Sequence, residues 1–448
     1  MKWLDGYRMR LLLVGVVVAM LIGAGSAKAN FTFGTPKNLG RTVSSWSGDY
    51  HPCISSDGLE LYFASWRKGG YGETDIWVST RQANEDEWGE PNNLGEHVNS
   101  PLGEFHPAIS SDGLELYFHV WERAASGSTY TSGEIWVTRR AVKGEPWCEP
   151  VRLDLTVPGW DLVSSPSLTT DGLELYFVVN RFADDANEAD IYVTRREATD
   201  ALWGEPVSLG PVVNNWPAQV NVRISSDGLL LVFSDWWASS PRPGGFGDTD
   251  MWFSRRATKD DEWSEPVNLG LTINTEFVDR DGMISSDGST LYFHSKRYSA
   301  LFSAGIHYLL YQAPILPVVD FDGDGIVAMN DLLMLIESWG TDDPQCDIGP
   351  MPWGDGMVDE ADLEALMKYW GQDVTGMVAH WKLDEEEGTT AYDSAGANDA
   401  NLVGDPIWQP GGGWVDGALE LDGVDDGAEA GFLFDPKDSP FSAFAWIK

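Results

Sequence analysis

Apolar and polar positions alternate along most of this chain in short runs broken by turn-forming residues. "ISSDGLELYF" at Ile54 shows the pattern: an apolar residue, a Ser-Ser-Asp-Gly turn, then an alternating run that predicts a β-strand. The same wording returns at Ile109, as "LTTDGLELYF" at Leu168, as "ISSDGLLLVF" at Ile224 and as "ISSDGSTLYF" at Ile284. Asp57, Asp112, Asp171, Asp227 and Asp287 are spaced 55, 59, 56 and 60 residues apart. A near-constant period of this length marks a repeat architecture.

Each unit has the same grammar. A short apolar stretch such as "HPCIS" leads into the Asp-Gly turn, and "LELYF" follows. A Gly-rich loop ("RKGGYGET") then precedes "DIWVSTR" at Asp75, echoed at Glu134, Asp190 and Asp250. "WGEPNNLG" at Trp88 ends the unit, with echoes at Trp147, Trp203 and Trp263. Four short strands joined by turns make a propeller blade. The fifth unit lacks its "W-x-E-P-x-N-L-G" piece after "IHYLLYQAP", and "TPKNLG" at Thr35 supplies it from the N-terminus. The expected fold is mainly β: a five-bladed propeller whose ring an N-terminal strand closes, leaving no open sheet edge.

"ISSDGLELYFAS…GGYGETDIWVSTR" resembles the WD-like, TolB-type propeller repeat of exported bacterial proteins, over roughly residues 31–314. The resemblance implies the fold and says little about function, since such propellers host many activities.

Strand order places the loop leading into each innermost strand on one face, with the loop between the second and third strands. The Asp-Gly turns lie on the other face, and their aspartates read as turn formers. On the loop face, Trp66, Trp121, Trp236, His51 and His106 break the repeat, and they are the candidate ligand-binding residues. Aromatic faces beside carboxylates suit a glycan or a protein ligand; packing between neighbouring loops is the alternative. A glycosidase would need a pair of carboxylates flanking the scissile bond. Asp49, Glu104 and Asp279 are candidates by position, but no motif pairs them. No nucleophile elbow, H-E-x-x-H or Walker loop is present. Arg67, Arg181 and Arg297 recur after the second strand, and Asp75 and Asp190 follow two of those loops, which predicts an ion pair within the blade.

The grammar changes after "APILPVV". Asp320, Asp322 and Asp324 fall at positions 1, 3 and 5 of an EF-hand-like loop, with the Ile326 carbonyl at 7 and Asp331 at 12. Alternating carboxylates of this kind wrap a hard cation, Ca2+. "DLLMLIESWG" then reads as a short amphipathic helix. A worn second copy has Asp355, Met357, Asp359 and Asp362 at positions 5, 7, 9 and 12, but Met351 and Trp353 at positions 1 and 3. Asp347 is a possible upstream substitute. The pair resembles a type I dockerin, which implies a cohesin-like partner. A calcium-stabilised spacer is the rival reading. From Gly376, "DSAGANDANL" and "GALELDGVDD" resemble the opening of a laminin-G-like, concanavalin A-like jelly roll, cut short at Lys448.

Composition adds a compartment and excludes partners. Lys2, Arg8 and Arg10 precede the apolar run from Leu11, and "AKA" ends at Ala29, as in a secretory signal. The expected domains are thus residues 1–29 leader, 30–315 propeller, 316–374 dockerin-like and 375–448 jelly roll, in a secreted or cell-surface protein. A formal charge of −41 argues against nucleic acid or an anionic membrane as partner. Cys53, Cys148 and Cys346 are an odd number, so a fully paired disulfide framework is excluded; buried or unpaired thiols are expected. Together these features point to a non-catalytic binding protein. A glycan-active hydrolase and a purely structural cell-surface protein are the alternatives.

Overall fold

A computed structural model describes residues 31–123, 130–181, 188–216, 218–235, 242–297, 308–322, 325–343, 345–350, 354 and 356–371, and beyond these 388–391, 400–404, 406–409, 418–420 and 427–430. The expected leader, Trp236, Asp324 and Asp355 lie outside them. The chain divides into two compact units, Met1–Pro317 and Val318–Lys448.

The first unit is a five-bladed propeller. Blade 1 is an antiparallel sheet of Asp49–Ile54, Glu60–Ser65, Asp75–Thr80 and Asn92–Asn93. Blades 2 to 4 repeat this order from Gly103, Leu162 and Gln219. Blade 5 has Asp279–Ile284, Thr290–Ser295 and Leu309–Pro317, and its outer positions are filled from the N-terminus. Lys37 pairs with Gln312, as the spare "KN" implies. A second N-terminal strand, Phe31–Phe33, pairs with the same long strand, setting Phe31 against Pro317. The innermost strands pack against one another in a closed circle.

The apolar alternation explains the cores between blades. Leu61 and Phe63 point to one side of the sheet with Trp77 and Trp88, while Tyr62 and Ile76 point to the other with Phe118 and Trp147. Each outer Trp carries an Arg over its ring: Arg81 on Trp88 at 4.3 Å, Arg140 on Trp147 at 4.4 Å, Arg196 on Trp203 at 4.4 Å and Arg256 on Trp263 at 4.5 Å. Three of these arginines also reach the preceding blade, where Arg140 meets Glu60 at 3.2 Å, Arg196 meets Glu115 at 3.1 Å and Arg256 meets Glu174 at 3.3 Å. The turn face adds a closed belt. Ser56, Ser111, Thr170, Ser226 and Ser286 each donate a hydroxyl to the backbone carbonyl of the next in the circle, and Ser286 donates back to Ser56.

The expected Arg–Asp pairing differs in its acidic partner. Arg67 binds Asp49 at 2.7 Å and Arg297 binds Asp279 at 2.8 Å, across the first two strands rather than across the Gly-rich loop. The register sets this, because Asp49 lies opposite Ser65, two residues before Arg67. In blade 3 Val163 occupies the acidic position, and Arg181 turns to Glu188 instead. Asp75 accepts from the Tyr71 and Gly72 amides at 2.7 and 3.1 Å and shapes its own loop. Cys53 and Cys346 are buried free thiols; Cys148 is free but exposed.

The second unit holds helices Met329–Glu337 and Glu360–Lys368, linked as near copies. Gly340 N–H donates to the Val358 carbonyl and Gly371 N–H to the Val327 carbonyl, both at 2.8 Å. Val327, Leu335, Val358 and Leu366 share one core. Downstream, the described strands form a three-stranded and a two-stranded antiparallel sheet. Among the described residues, no helix is long and apolar enough to cross a membrane.

Candidate functional site

Each innermost strand is kinked at one residue, six positions before its Asp-Gly aspartate. His51, His106, Ser165, Asn221 and Asp281 hold φ of 53°, 50°, 52°, 58° and 58°. Register shifts flank all five. Left-handed backbone at non-glycine residues is strained by about 1–3 kcal/mol each, although Asn, Asp and His tolerate it best. The kink is repeated once per blade, and three of the five side chains, those of His51, His106 and Asp281, meet one another.

Two of the candidate ligand residues meet there. The rings of His51 and His106, from different blades, lie 3.7 Å apart. Two further histidines arrive from second strands, seven residues after the turn aspartate: His119 in blade 2 and His294 in blade 5. His294 Nδ1 is 2.8 Å from the Asp281 carboxylate, His51 Nε2 is 3.5 Å away and His106 Nε2 3.7 Å. Three of the chain's seven histidines thus surround one aspartate, and the fourth, His119, lies behind His106 with its ring 5.9 Å away. All five residues are buried, with only His51 and His106 keeping a sliver of exposure. Burial holds His51 and His119 well below the usual imidazole range and brings His106 down to about 4, against the pull of Asp281 on His51 and His106. Burial would raise Asp281, but His51 and His294 outweigh it and hold the carboxyl below the usual range. Sequence reasoning missed Asp281, His119 and His294. The signal was a column: reading six residues before and seven after each turn aspartate finds them.

Two residues before each kink lies another ring, containing the three carboxylate candidates. Asp49 and Asp279 are fully buried. Besides its arginine, Asp49 accepts from the Ser45 amide at 2.5 Å and the Ser65 hydroxyl at 2.7 Å. Asp279 accepts from the Thr275 amide at 2.6 Å and the Thr275 hydroxyl at 2.7 Å. Glu104 is equally buried, but Glu122 stands where blades 1 and 5 have arginine. Its Oε1 accepts from the Ser100 hydroxyl at 2.5 Å, and burial pushes the carboxyl up to about 7.

Trp66 is 36% exposed on the loop face. Trp121 is half-buried, at 5.5 Å from Phe105 and 5.2 Å from His119, so it packs down onto the axial cluster. Trp46, Tyr71 and Phe246 are exposed on loops of the same face.

In the second unit, oxygens of Asp320, Asp322 and Asp331 lie within 4.8 Å of one another. Asp331 starts its helix: Oδ2 accepts from Ala328 N–H at 2.8 Å and Oδ1 from Phe321 N–H at 2.6 Å. Asp362 repeats this with Asp359 N–H at 2.6 Å and Ile348 N–H at 2.5 Å. Asp320 accepts from Gly325 N–H at 2.9 Å, and Asp347 accepts from Gly356 N–H at the same distance. Asp347 therefore takes the first position of the second loop, across a four-residue insertion that hides it from a fixed-spacing search. The all-oxygen donor set of the first loop fits a hard divalent cation. Ile326 and Met357, the expected carbonyl donors, are exposed loop residues.

No protein-family model matches the chain, and no curated protein is similar to it in sequence. Solved structures that resemble it include a thermostable family-43 glycoside hydrolase, with 14% identity, 62% of this chain and 91% of that chain covered and a TM-score of 0.41. A putative TolB from Agrobacterium tumefaciens has 14% identity, 64% and 85% coverage and a TM-score of 0.36. The α-L-arabinofuranosidase PaAbf62A from Podospora anserina, solved with cellotriose, has 14% identity, 65% and 98% coverage and a TM-score of 0.38. At these values the assignment of fold rests on the strand topology.

Proposed function

We propose that the chain is an exported binding protein whose propeller recognises a glycan or protein ligand on its loop face. One observation carries this reading. Among the described propeller residues, every exposed Trp, Tyr or Phe ring lies on that face: Trp46, Trp66, Tyr71 and Phe246. The opposite face is closed by the hydroxyl belt. Exposed rings gathered on one face supply stacking surface at small entropic cost. The acidic second unit serves as a calcium-ordered, dockerin-like joint, with a cohesin-like protein as its partner, and a laminin-G-like sandwich follows. Asp320, Asp322, Asp331 and the Ile326 carbonyl would hold the first ion, and Asp347, Asp362 and the Met357 carbonyl a second. Bound calcium would order both loops and so fix the helix pair.

Binding of the full chain to a broad glycan and peptide panel tests the reading. Trp66→Ala should weaken the ligand found several-fold, since one stacked ring is worth on the order of 1 kcal/mol, and leave the melting temperature unchanged. A wild type that binds nothing on the panel would remove the proposal.

Glycan hydrolysis is the second reading, and Glu104 is the observation that favours it. A carboxyl pushed up to about 7 is suited to act as a general acid. Its full burial opposes this, as do the arginines that engage Asp49 and Asp279. Turnover of any glycan that is abolished by Glu104→Gln with binding retained would establish hydrolysis.

A further inference from the structure

The axial cluster is poorly explained as packing. Asp281 is completely buried, yet beyond the 2.8 Å approach of His294 Nδ1 its oxygens have no hydrogen-bond partner among the described residues. His51 Nδ1 and both ring nitrogens of His106 are in the same state. An unsatisfied buried carboxylate is costly, by several kcal/mol. His294 sharpens the problem. Its Nδ1 lies 3.3 Å from the His51 amide and 2.8 Å from an Asp281 oxygen, so one ring nitrogen meets a donor and an acceptor at once. A positive centre between this nitrogen and the carboxylate would neutralise the buried charge.

We propose that the propeller axis binds one divalent transition-metal ion, held by His51 Nε2, His294 Nδ1 and the Asp281 carboxylate, with His106 as the adjoining fourth donor. The three ligand atoms lie within 4.8 Å of one another. Metal–nitrogen and metal–oxygen bonds of about 2.0–2.2 Å set neighbouring ligands roughly 3–3.5 Å apart. The observed separations of 2.8 and 3.5 Å from Asp281 need little adjustment. Imidazole donors select zinc and its neighbours over calcium or magnesium, which prefer all-oxygen shells. This site is therefore chemically distinct from the acidic loops of the second unit.

The three principal donors also come from the two blades that close the ring. His51 belongs to blade 1, while Asp281 and His294 belong to blade 5. An ion here clamps the seam from the inside, opposite the N-terminal strands that clamp it from the outside. Arg223, buried in blade 4, works against the ion, because its positive charge acts on His51 and His106. Its Nη1 is occupied by the Pro166 carbonyl at 3.0 Å. The competing account is a metal-free cluster in which a protonated imidazole neutralises Asp281.

The test uses the full chain, stripped with a chelator and supplied with saturating calcium so that the acidic loops are occupied. Zinc is then titrated by calorimetry, and bound metal is counted after gel filtration. One tightly held zinc equivalent is expected, with a higher melting temperature. His51→Ala with His294→Ala should lose that equivalent, while Asp320→Ala with Asp322→Ala should keep it. Cobalt(II) added to the wild type provides a readout that needs no variant. Visible absorption that saturates at one equivalent and is displaced by zinc supports the site even if the double variant fails to fold. No cobalt absorption, or a zinc equivalent that survives in a folded double variant, overturns the proposal in favour of the metal-free cluster.

Discussion

At the Asp-Gly end of each innermost strand, all five blades carry nearly the same residues and make the same bonds. Ser55 and Asp57 have counterparts in Ser110 and Asp112, Thr169 and Asp171, Ser225 and Asp227, and Ser285 and Asp287, each pair joined by a hydroxyl–carboxylate hydrogen bond. Six residues earlier the blades carry four different residue types, His51 and His106, Ser165, Asn221 and Asp281, although the backbone does the same thing in all five. The fold needs the turn, so its column is uniform. It needs only the kink at the centre, so that column is open to chemistry. A repeat protein thus separates scaffold from site by column, and a position with constant backbone but varied side chains is where to look.

The largest test of the scaffold side is the seam. Deleting residues 31–38 strips the outer edge of Leu309–Pro317 and removes Phe31, whose ring lies 5.2 Å from Phe253 in blade 4. An unpaired strand edge of this length invites association. The expected result is loss of most of the folding free energy, about 5 kcal/mol or more, seen as aggregation in gel filtration and an early urea transition. A monomeric variant with a wild-type midpoint would mean that the ring closes through its other contacts.

Next is the ladder between blades. Arg196 is nearly buried, contacts Glu115 at 3.1 Å, donates to the Gly172 carbonyl at 2.7 Å and covers Trp203. Removing one partner of a buried pair costs about 3 kcal/mol, so Arg196→Ala should shift the urea midpoint strongly. The exposed Arg195, which meets the same kind of partner at 2.7 Å, should cost less than about 1 kcal/mol. Equal effects would mean that burial does not govern this network.

How much of this was legible follows from the same contrast. Period, blade count and ring closure depend on uniform columns, and the repeated "DGLELYF" and the orphan "TPKNLG" carry them openly. The axial cluster depends on residues that differ between blades, so similarity hides it: His51 and His106 stood out, while Asp281 looked like part of "DRDG". Arg67 was misassigned to Asp75 because sequence distance favours a loop neighbour over the residue opposite in the sheet. Asp347 was legible only as an upstream substitute, because it lies nine positions before Gly356 where Asp320 lies five before Gly325.

A pH experiment examines a position where one column loses its pattern. Glu104 sits with Asp49 and Asp279 but without their arginine, and burial pushes it from 4.5 to about 7. Between those values the folded state holds a proton that the unfolded chain has released. Stability from this group is complete below about pH 4.5 and is lost as pH rises through 7, by at most about 3 kcal/mol. Glu104→Gln should flatten that part of the profile and stabilise the protein at pH 8. A variant whose profile keeps the wild-type slope between pH 5 and 7 would show that another group titrates.

The smallest expected effect belongs to the hydroxyl belt, where the comparison is most exposed to failure. Ser226 donates to the Ser286 carbonyl at 3.0 Å on the protein surface, where water can replace it. One such bond contributes about 0.5–1 kcal/mol, so Ser226→Ala alone should move the midpoint by little more than the error. The five bonds form a closed circle, however, and each aligns the turns that the next one uses. Alanine at Ser56, Ser111, Thr170, Ser226 and Ser286 together should therefore cost more than the sum of the single variants, measured by the same urea titration. Strict additivity would reduce the belt to five independent surface bonds. The uniformity of its column would then come from the turn alone, in which the first hydroxyl and the aspartate already suffice.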